Sequence, residues 1–245
     1  MDPVTNILPP PDGGFIISQH ISRGDPLLAY ARFDLSNYDD TLCERWELPL
    51  PVNLQKAVKK RRAEFVASRF LVRDVLSHVG THGFLLNNRP DRSPIWPSGV
   101  QGSLSHTDGT VALAITKQPL CIGIDVEQVM GLDTAVETAD VLMSSEERAL
   151  LSALPLPFPL AATLLFSLKE SLYKALWPRL CQPMDFHQAS LVDIDLLAQK
   201  ARLCLNDDFS AAFNCDTRLN ATFRVESDRV LTLVTHPIED DKKPA

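Results

Sequence analysis

Glycine is scarce in this chain of 245 residues, 10 against 18 prolines, and the few glycines do not gather into a phosphate loop. Neither the Walker pattern nor the dinucleotide-binding pattern is present. Gly-x-Ser-x-Gly is missing too, and His20, His78, His82, His187 and His236 have no evident acid or nucleophile partner, which argues against a hydrolase triad. Cysteine is sparse and odd in number: Cys43, Cys121, Cys181, Cys204 and Cys215. No two lie two or three residues apart, which argues against a zinc knuckle or a redox pair. Cys121 and Cys204 sit in apolar, strand-like runs and read as buried thiols, which suits a reducing cytoplasm. The most apolar run, 150–166, is interrupted by Pro155, Pro157 and Pro159 and is short for a bilayer. The segment Met1 to Pro11 is polar and proline-rich, without the basic-then-apolar order of a signal peptide. The expectation is a soluble, cytoplasmic protein with no transmembrane segment.

The chain is long enough for one substantial core or two small ones, and a hydrophobic fraction of 45% is ordinary for a globular protein. Charge is unevenly spread. Residues 1–122 carry 13 Lys/Arg against 12 Asp/Glu, and the remainder carries 11 against 19. The basic groups concentrate at Lys56, Lys59, Lys60, Arg61, Arg62, Arg69 and Arg73. An anion would be gripped by the first part and a cation by the second. A net charge of −7 disfavours nucleic acid as a partner.

Residues 13–35 predict one or two strands. From Leu54 to Val79 the pattern is helical, with Phe65, Phe70, Leu71, Val75, Leu76 and Val79 as an apolar stripe and Gly80 as a stop. Residues 87–99 read as an ordered loop carrying Arg89, Arg92 and Trp96. Three strand-like runs follow, 100–105, 110–116 and 120–126, and predict an antiparallel meander turning first at His106-Thr107-Asp108-Gly109. Ser144-Ser145-Glu146-Glu147 reads as a helix start. A further helix is expected from near Pro159 to Trp177. Strand-like runs recur at 190–194, 202–205, 222–225 and 230–235, and a frayed tail is expected from Glu239.

Two stretches carry the strongest chemical signal. On a strand, Asp125 and Glu127 point the same way, with Ile124 and Val126 opposite. On a helix, Glu170 and Lys174 are neighbours. At 100° per residue they share a side with Phe166, Tyr173 and Trp177, while Ala161, Leu164, Leu165, Leu168, Leu172 and Leu176 face away. Three carboxylates and an ammonium suit magnesium and a pyrophosphate if the two elements meet. The same patterns also suit a solvated strand edge and an ordinary surface pair. Arg62, Arg69 and Arg92, with Ser105 and His106, are further candidate anion ligands. Each of these, taken alone, also suits a solvated helix face or an exposed hairpin tip.

Arg62-Ala-Glu-Phe-Val-Ala-Ser-Arg69, Arg92-Ser-Pro-Ile-Trp-Pro97, Gly102-Ser-Leu-Ser-His106, Gly123-Ile-Asp-Val-Glu127 and Phe166-Ser-Leu-Lys-Glu-Ser-Leu-Tyr-Lys174, in that order, resemble the 4′-phosphopantetheinyl transferases. The match is to the two-lobed type and the branch of enterobactin synthetase component D, and it covers about half the chain. The resemblance implies an α+β fold of two similar, pseudo-duplicated lobes, 1–121 and 122–245, each a small antiparallel sheet with helices and with the active site between them. It implies coenzyme A as donor, magnesium as cofactor, and an apo carrier protein or domain (acyl, peptidyl or aryl) as acceptor, with 3′,5′-adenosine bisphosphate released. Asp125, Glu127 and Glu170 would hold the metal. Glu170 would serve as base for the incoming serine, and Lys174 would bind and stabilise the leaving phosphate. Ser105 and His106 would contact the phosphates of coenzyme A, and Arg62, Arg69 and Arg92 its nucleotide end. Phe166 stands where the family commonly has Trp, and Ser68 where many members have Gly; neither change removes a charge. The branch points to siderophore peptide synthetase carriers, then to fatty-acid or polyketide carriers; a two-lobed chain needs no partner to complete its site, so a monomer is expected. A non-catalytic coenzyme A or carrier-binding module, and a magnesium-dependent phosphoryl transferase using a nucleotide donor, are the rival classes.

Overall fold

The computed structural model describes residues 5–6 and 14–238. The expectations for most of Met1 to Pro11 and for the tail from Glu239 lie outside the described residues. The chain divides into two compact units, Met1–Gln118 and Pro119–Ala245.

The first unit contains β1 (Thr5–Asn6), β2 (Ile16–Ile21), β3 (Leu27–Phe33), two short helices α1 (Thr41–Arg45) and α2 (Val52–Gln55), and the long helix α3 (Lys59–His78). A two-stranded ribbon of β4 (Asn87–Asn88) and β5 (Pro94–Ile95) follows, then the hairpin β6 (Gln101–Thr107) and β7 (Thr110–Thr116). Five strands pair antiparallel in the order β1-β2-β3-β7-β6. Ala63, Val66, Ala67, Phe70, Leu71 and Val75 of α3 are buried in one core with Phe15, Ala29, Val111 and Leu113. This is the helix that the apolar stripe predicts, starting at Lys59 rather than Leu54.

In the second unit come β8 (Leu120–Gln128), the helices α4 (Leu132–Leu142), α5 (Ser145–Ser152) and α6 (Phe158–Leu180), then β9 (Ala189–Asp195), β10 (Lys200–Leu205), β11 (Arg218–Val225) and β12 (Arg229–Pro237). The sheet is again five-stranded and antiparallel, in the order β8-β12-β11-β10-β9. Ser144 and Glu147 cap each other's backbone N–H at the start of α5, the reciprocal arrangement that Ser-x-x-Glu allows. On α6, Leu164, Leu165, Leu168, Leu172 and Leu176 are all buried, as the helical wheel predicts.

An α+β chain with one five-stranded antiparallel sheet and one long helix in each unit matches the expected fold class. Local expectations fail in four places. The three-stranded meander does not form: β3 and β6 occupy both edges of β7, so β8 pairs with β12 instead. His106 and Thr107 belong to β6, and the turn is the Asp108-Gly109 pair, with Gly109 at φ +65. Residues 87–99, expected as an ordered loop, hold the short β4–β5 ribbon. Helix α6 runs through Pro178 to Leu180, because a proline in the last turn removes only one terminal hydrogen bond. Helix α4 carries no strong sequence signal: its buried side is Ala135, Ala139 and Leu142, a stripe of mostly small residues.

Two glycines join elements closely. A Cβ on Gly123 would lie 1.9 Å from the Ser171 carbonyl oxygen and 2.5 Å from the Ala175 nitrogen, so only glycine lets α6 lie backbone-on-backbone against β8. A Cβ on Gly102 would meet the Trp96 ring at 2.7 Å. Among the described residues no helix is long and apolar enough to cross a membrane.

Candidate active site

The contact of β8 with α6 brings the acidic motifs together. Gly123, Asp125 and Glu127 alternate onto the α6 side of β8. Asp125, 1% exposed, receives Lys174 Nζ on Oδ1 at 2.6 Å and Ser167 Oγ on Oδ2 at 2.8 Å. Burial pushes the Glu127 carboxyl up to about 7; Asp125 and Glu170 add to the rise and Lys174 opposes it. Burial likewise raises Glu170, with Asp125 adding to it and Lys174 opposing. Three carboxylates and one ammonium therefore sense one another inside a single unit, the condition that sequence alone left open. Tyr173 and Trp177 pack ring to ring at 5.5 Å on the same helix. A cavity of about 220 Å³ beside Glu170 includes Tyr173, Met184 and Phe186 in its wall.

Lys169, adjacent to Glu170, has a different task. Its ammonium is buried and donates to Glu147 Oε2 (2.9 Å), Leu142 O (2.9 Å) and Phe186 O (2.8 Å). Glu147 Oε1 in turn accepts from Leu191 N at 2.8 Å. This pair ties α6 to α5 and to the start of β9. Its charge complementarity is visible only in three dimensions.

In the first unit, the sequence candidates separate into distinct roles. His106 turns toward α3: Arg61 Nη1 donates to its Nε2 at 3.0 Å, and Glu64 Oε2 lies 3.6 Å from its Nδ1. A guanidinium has no lone pair to offer, so Nε2 accepts in this arrangement. Ser105 is buried on the opposite face of β6. Arg62 points elsewhere, to Asp40 Oδ1 at 2.9 Å and to the Ala57 carbonyl. Arg69 is buried and donates from Nε to Leu86 O, from Nη1 to Ser68 Oγ and from Nη2 to Asn88 Oδ1, with its guanidinium 4.4 Å from the Phe65 ring centroid. Burial lowers its pKa to about 10, which leaves it charged at neutral pH. Arg92, at φ +70 on the β4–β5 turn, is exposed. The guanidinium that accompanies His106 is Arg61, which adjacent basic residues on a helix could not single out by sequence.

A family model for the 4′-phosphopantetheinyl transferase N-terminal domain matches residues 50–116, and one for the 4′-phosphopantetheinyl transferase superfamily matches residues 121–234. The chain is 38% identical to the enterobactin synthase component D of Salmonella typhimurium over 192 residues, 77% of each chain. The chain belongs to the 4′-phosphopantetheinyl transferases. It is also 37% identical to the enterobactin synthase component D of Escherichia coli K12 over 150 residues, 60% of this chain and 69% of that one. Against the 4′-phosphopantetheinyl transferase Npt of Nocardia iowensis it is 34% identical over 140 residues, 56% of this chain and 62% of that one. Its activity is the coenzyme A-dependent transfer of phosphopantetheine to carrier proteins.

Among the described residues, no three His, Cys, Asp or Glu side chains are grouped closely enough to hold an ion by themselves. Magnesium needs less: it keeps waters and takes one or two carboxylates together with phosphate oxygens. Asp125, Glu127 and Glu170 are all oxygen donors, and burial and mutual repulsion raise the carboxyls of Glu127 and Glu170. A divalent cation relieves both effects, so the residues fit one.

Proposed function

We propose that this transferase works through Asp125, Glu127, Glu170 and Lys174 of the second unit, with magnesium as cofactor, and that its acceptors are carrier domains of siderophore peptide synthetases. The observation that carries the site is the Lys174–Asp125 contact, which joins the two acidic motifs within one unit. The acceptor rests on the likeness to the enterobactin synthase component D proteins. Fatty-acid and polyketide carriers are the next class of acceptor.

In this reading Asp125, Glu127 and Glu170 hold magnesium, which when bound neutralises charge on the pyrophosphate of coenzyme A. Glu170, its basicity raised by burial, accepts the proton of the carrier serine, directly or through water, as the hydroxyl attacks the β-phosphate. Lys174 neutralises the departing 3′,5′-adenosine bisphosphate. In the first unit, His106, held beside Arg61, is the phosphate contact, and Ser105 supports it from the buried, opposite face of β6. Arg62, Arg69 and Arg92 serve the nucleotide end. Arg69 does so by bracing Leu86 and Asn88, and Arg62 after exchanging Asp40 for phosphate. We further propose a cytoplasmic monomer; the five unbridged thiols fit a reducing compartment.

The test mixes the chain, coenzyme A, magnesium and an apo peptidyl carrier and weighs the carrier intact. Gain of one phosphopantetheine per carrier, lost when magnesium is chelated, is the expected result. No gain across peptidyl, aryl and acyl carriers would sink the reading. Binding of coenzyme A without turnover, indifferent to magnesium, would instead mark a binding module, and displacement of coenzyme A by ATP a different phosphoryl transferase.

A further inference from the structure

Under Asp125 lies a run of three buried hydroxyls that no part of the proposed chemistry uses. Ser167 and Ser171 come from α6 and Thr232 from β12, where Thr232 sits directly across from Asp125 in the strand pairing. All three hydroxyl residues are 0% exposed. Ser171 Oγ is 2.6 Å from Thr232 Oγ1, Thr232 Oγ1 is 2.8 Å from Ser167 Oγ, and Ser167 Oγ is 2.8 Å from Asp125 Oδ2. Thr232 Oγ1 also donates to Ser167 O at 2.8 Å, and Ser171 Oγ to Thr232 O at 3.0 Å.

Each hydroxyl has one proton to give. The strongest acceptor in the group is the carboxylate, so Ser167 donates to Asp125. The carbonyls of Ser167 and Thr232 can only accept, so Thr232 and Ser171 share their single protons between these carbonyls and the neighbouring hydroxyl. Thr232 and Ser171 are thereby fixed to the backbone of α6 and β12, and the two hydroxyls hold Ser167 Oγ in place against the carboxylate. A buried apolar contact between α6 and β12 would need none of these groups. We infer that Ser167, backed by Thr232 and Ser171, is a positioning residue: it clamps Asp125 Oδ2 and so presents Oδ1, the oxygen beside Lys174, to the metal and the transferring phosphate. Partners of this kind around a metal-binding carboxylate are commonly worth ten- to a hundredfold in metal affinity.

This inference rests on the reading of Asp125 as a metal ligand, and the experiment separates the two. Mn2+ is titrated into the full-length metal-free protein with coenzyme A present, free Mn2+ is read by electron paramagnetic resonance, and folding is checked by circular dichroism and melting. Wild type binding no Mn2+ overturns the underlying reading. Given wild-type binding, Ser167→Ala is expected to weaken Mn2+ about tenfold or more while coenzyme A affinity without metal is unchanged. Ser167→Thr is expected to restore it, and Thr232→Val, which leaves the Ser167–Asp125 bond but removes its backing, to fall between. Equal Mn2+ affinity in a folded Ser167→Ala overturns the inference. If Ser167→Ala does not fold, Thr232→Val decides: weakened Mn2+ binding supports the clamp, and wild-type affinity overturns it.

Discussion

Glu127 keeps its proton to about pH 7 in the metal-free fold, because burial and the neighbouring carboxylates disfavour its charge. The unfolded chain releases that proton near the ordinary value of 4.5. Between those two values the folded state binds more protons than the unfolded one, so stability falls as pH rises through the window and stays lower above it. Glu127→Gln removes the effect. It is expected to melt a few degrees above wild type at pH 8 and level with it at pH 4, in chelator; magnesium and coenzyme A should narrow the difference at pH 8. At the reacting end, Glu170→Gln should cut turnover on a carrier at least a hundredfold while coenzyme A binding without metal stays within about twofold. A folded Glu170→Gln with normal turnover would remove Glu170 as base. Arg69 differs from the other arginines because its donors reach Leu86, Ser68 and Asn88. Lys cannot reproduce that fork, so Arg69→Lys is expected to cost about 1–3 kcal/mol by denaturant titration.

Among the elements, the β8–α6 contact depends on one missing side chain. Gly123→Ala sets a methyl against the Ser171 carbonyl and the Ala175 nitrogen, both backbone atoms that cannot rotate aside. Helix α6 must then move off β8, taking Glu170 and Lys174 from Asp125. The expected result is a loss of more than about 3 kcal/mol, or failure to accumulate in soluble form. Near-wild-type melting and activity would refute the close approach. The Lys169–Glu147 pair allows a second test at this scale. Removing one partner leaves a buried charge, so Lys169→Met should cost about 3–5 kcal/mol, and Lys169→Met with Glu147→Leu markedly less. The helix stripe on α6 and the cap at Ser144 were legible because they depend on local spacing. The partner of β8 was not, since β7 already has β3 on one edge and β6 on the other, a fact set by residues some eighty positions upstream.

Across the whole molecule, charge is divided by region. Lys60 of α3 pairs with Asp108 in the β6–β7 turn, and Arg61 lies beside His106, whereas the carboxylates Asp125, Glu127 and Glu170 share the second unit. An anionic donor held by partly exposed cations should bind several-fold more weakly when ionic strength rises from about 0.05 to 0.5 M, by isothermal titration. The buried cluster around Asp125 should respond less to salt.

Spacing alone determined which residues share a face: Asp125 with Glu127 by the two-residue period of a strand, and Glu170 with Lys174 by the turn of a helix. It also marked the basic concentration in the first part of the chain and, through five ordered motifs, the family. Only the tertiary structure decided that β8 and α6 touch, that Arg61 rather than Arg62 stands beside His106, that Lys169 is a strut, and that Ser167 grips Asp125. Those facts depend on groups far apart in sequence meeting at hydrogen-bond distance, and periodicity carries no information about which distant partner a face will meet.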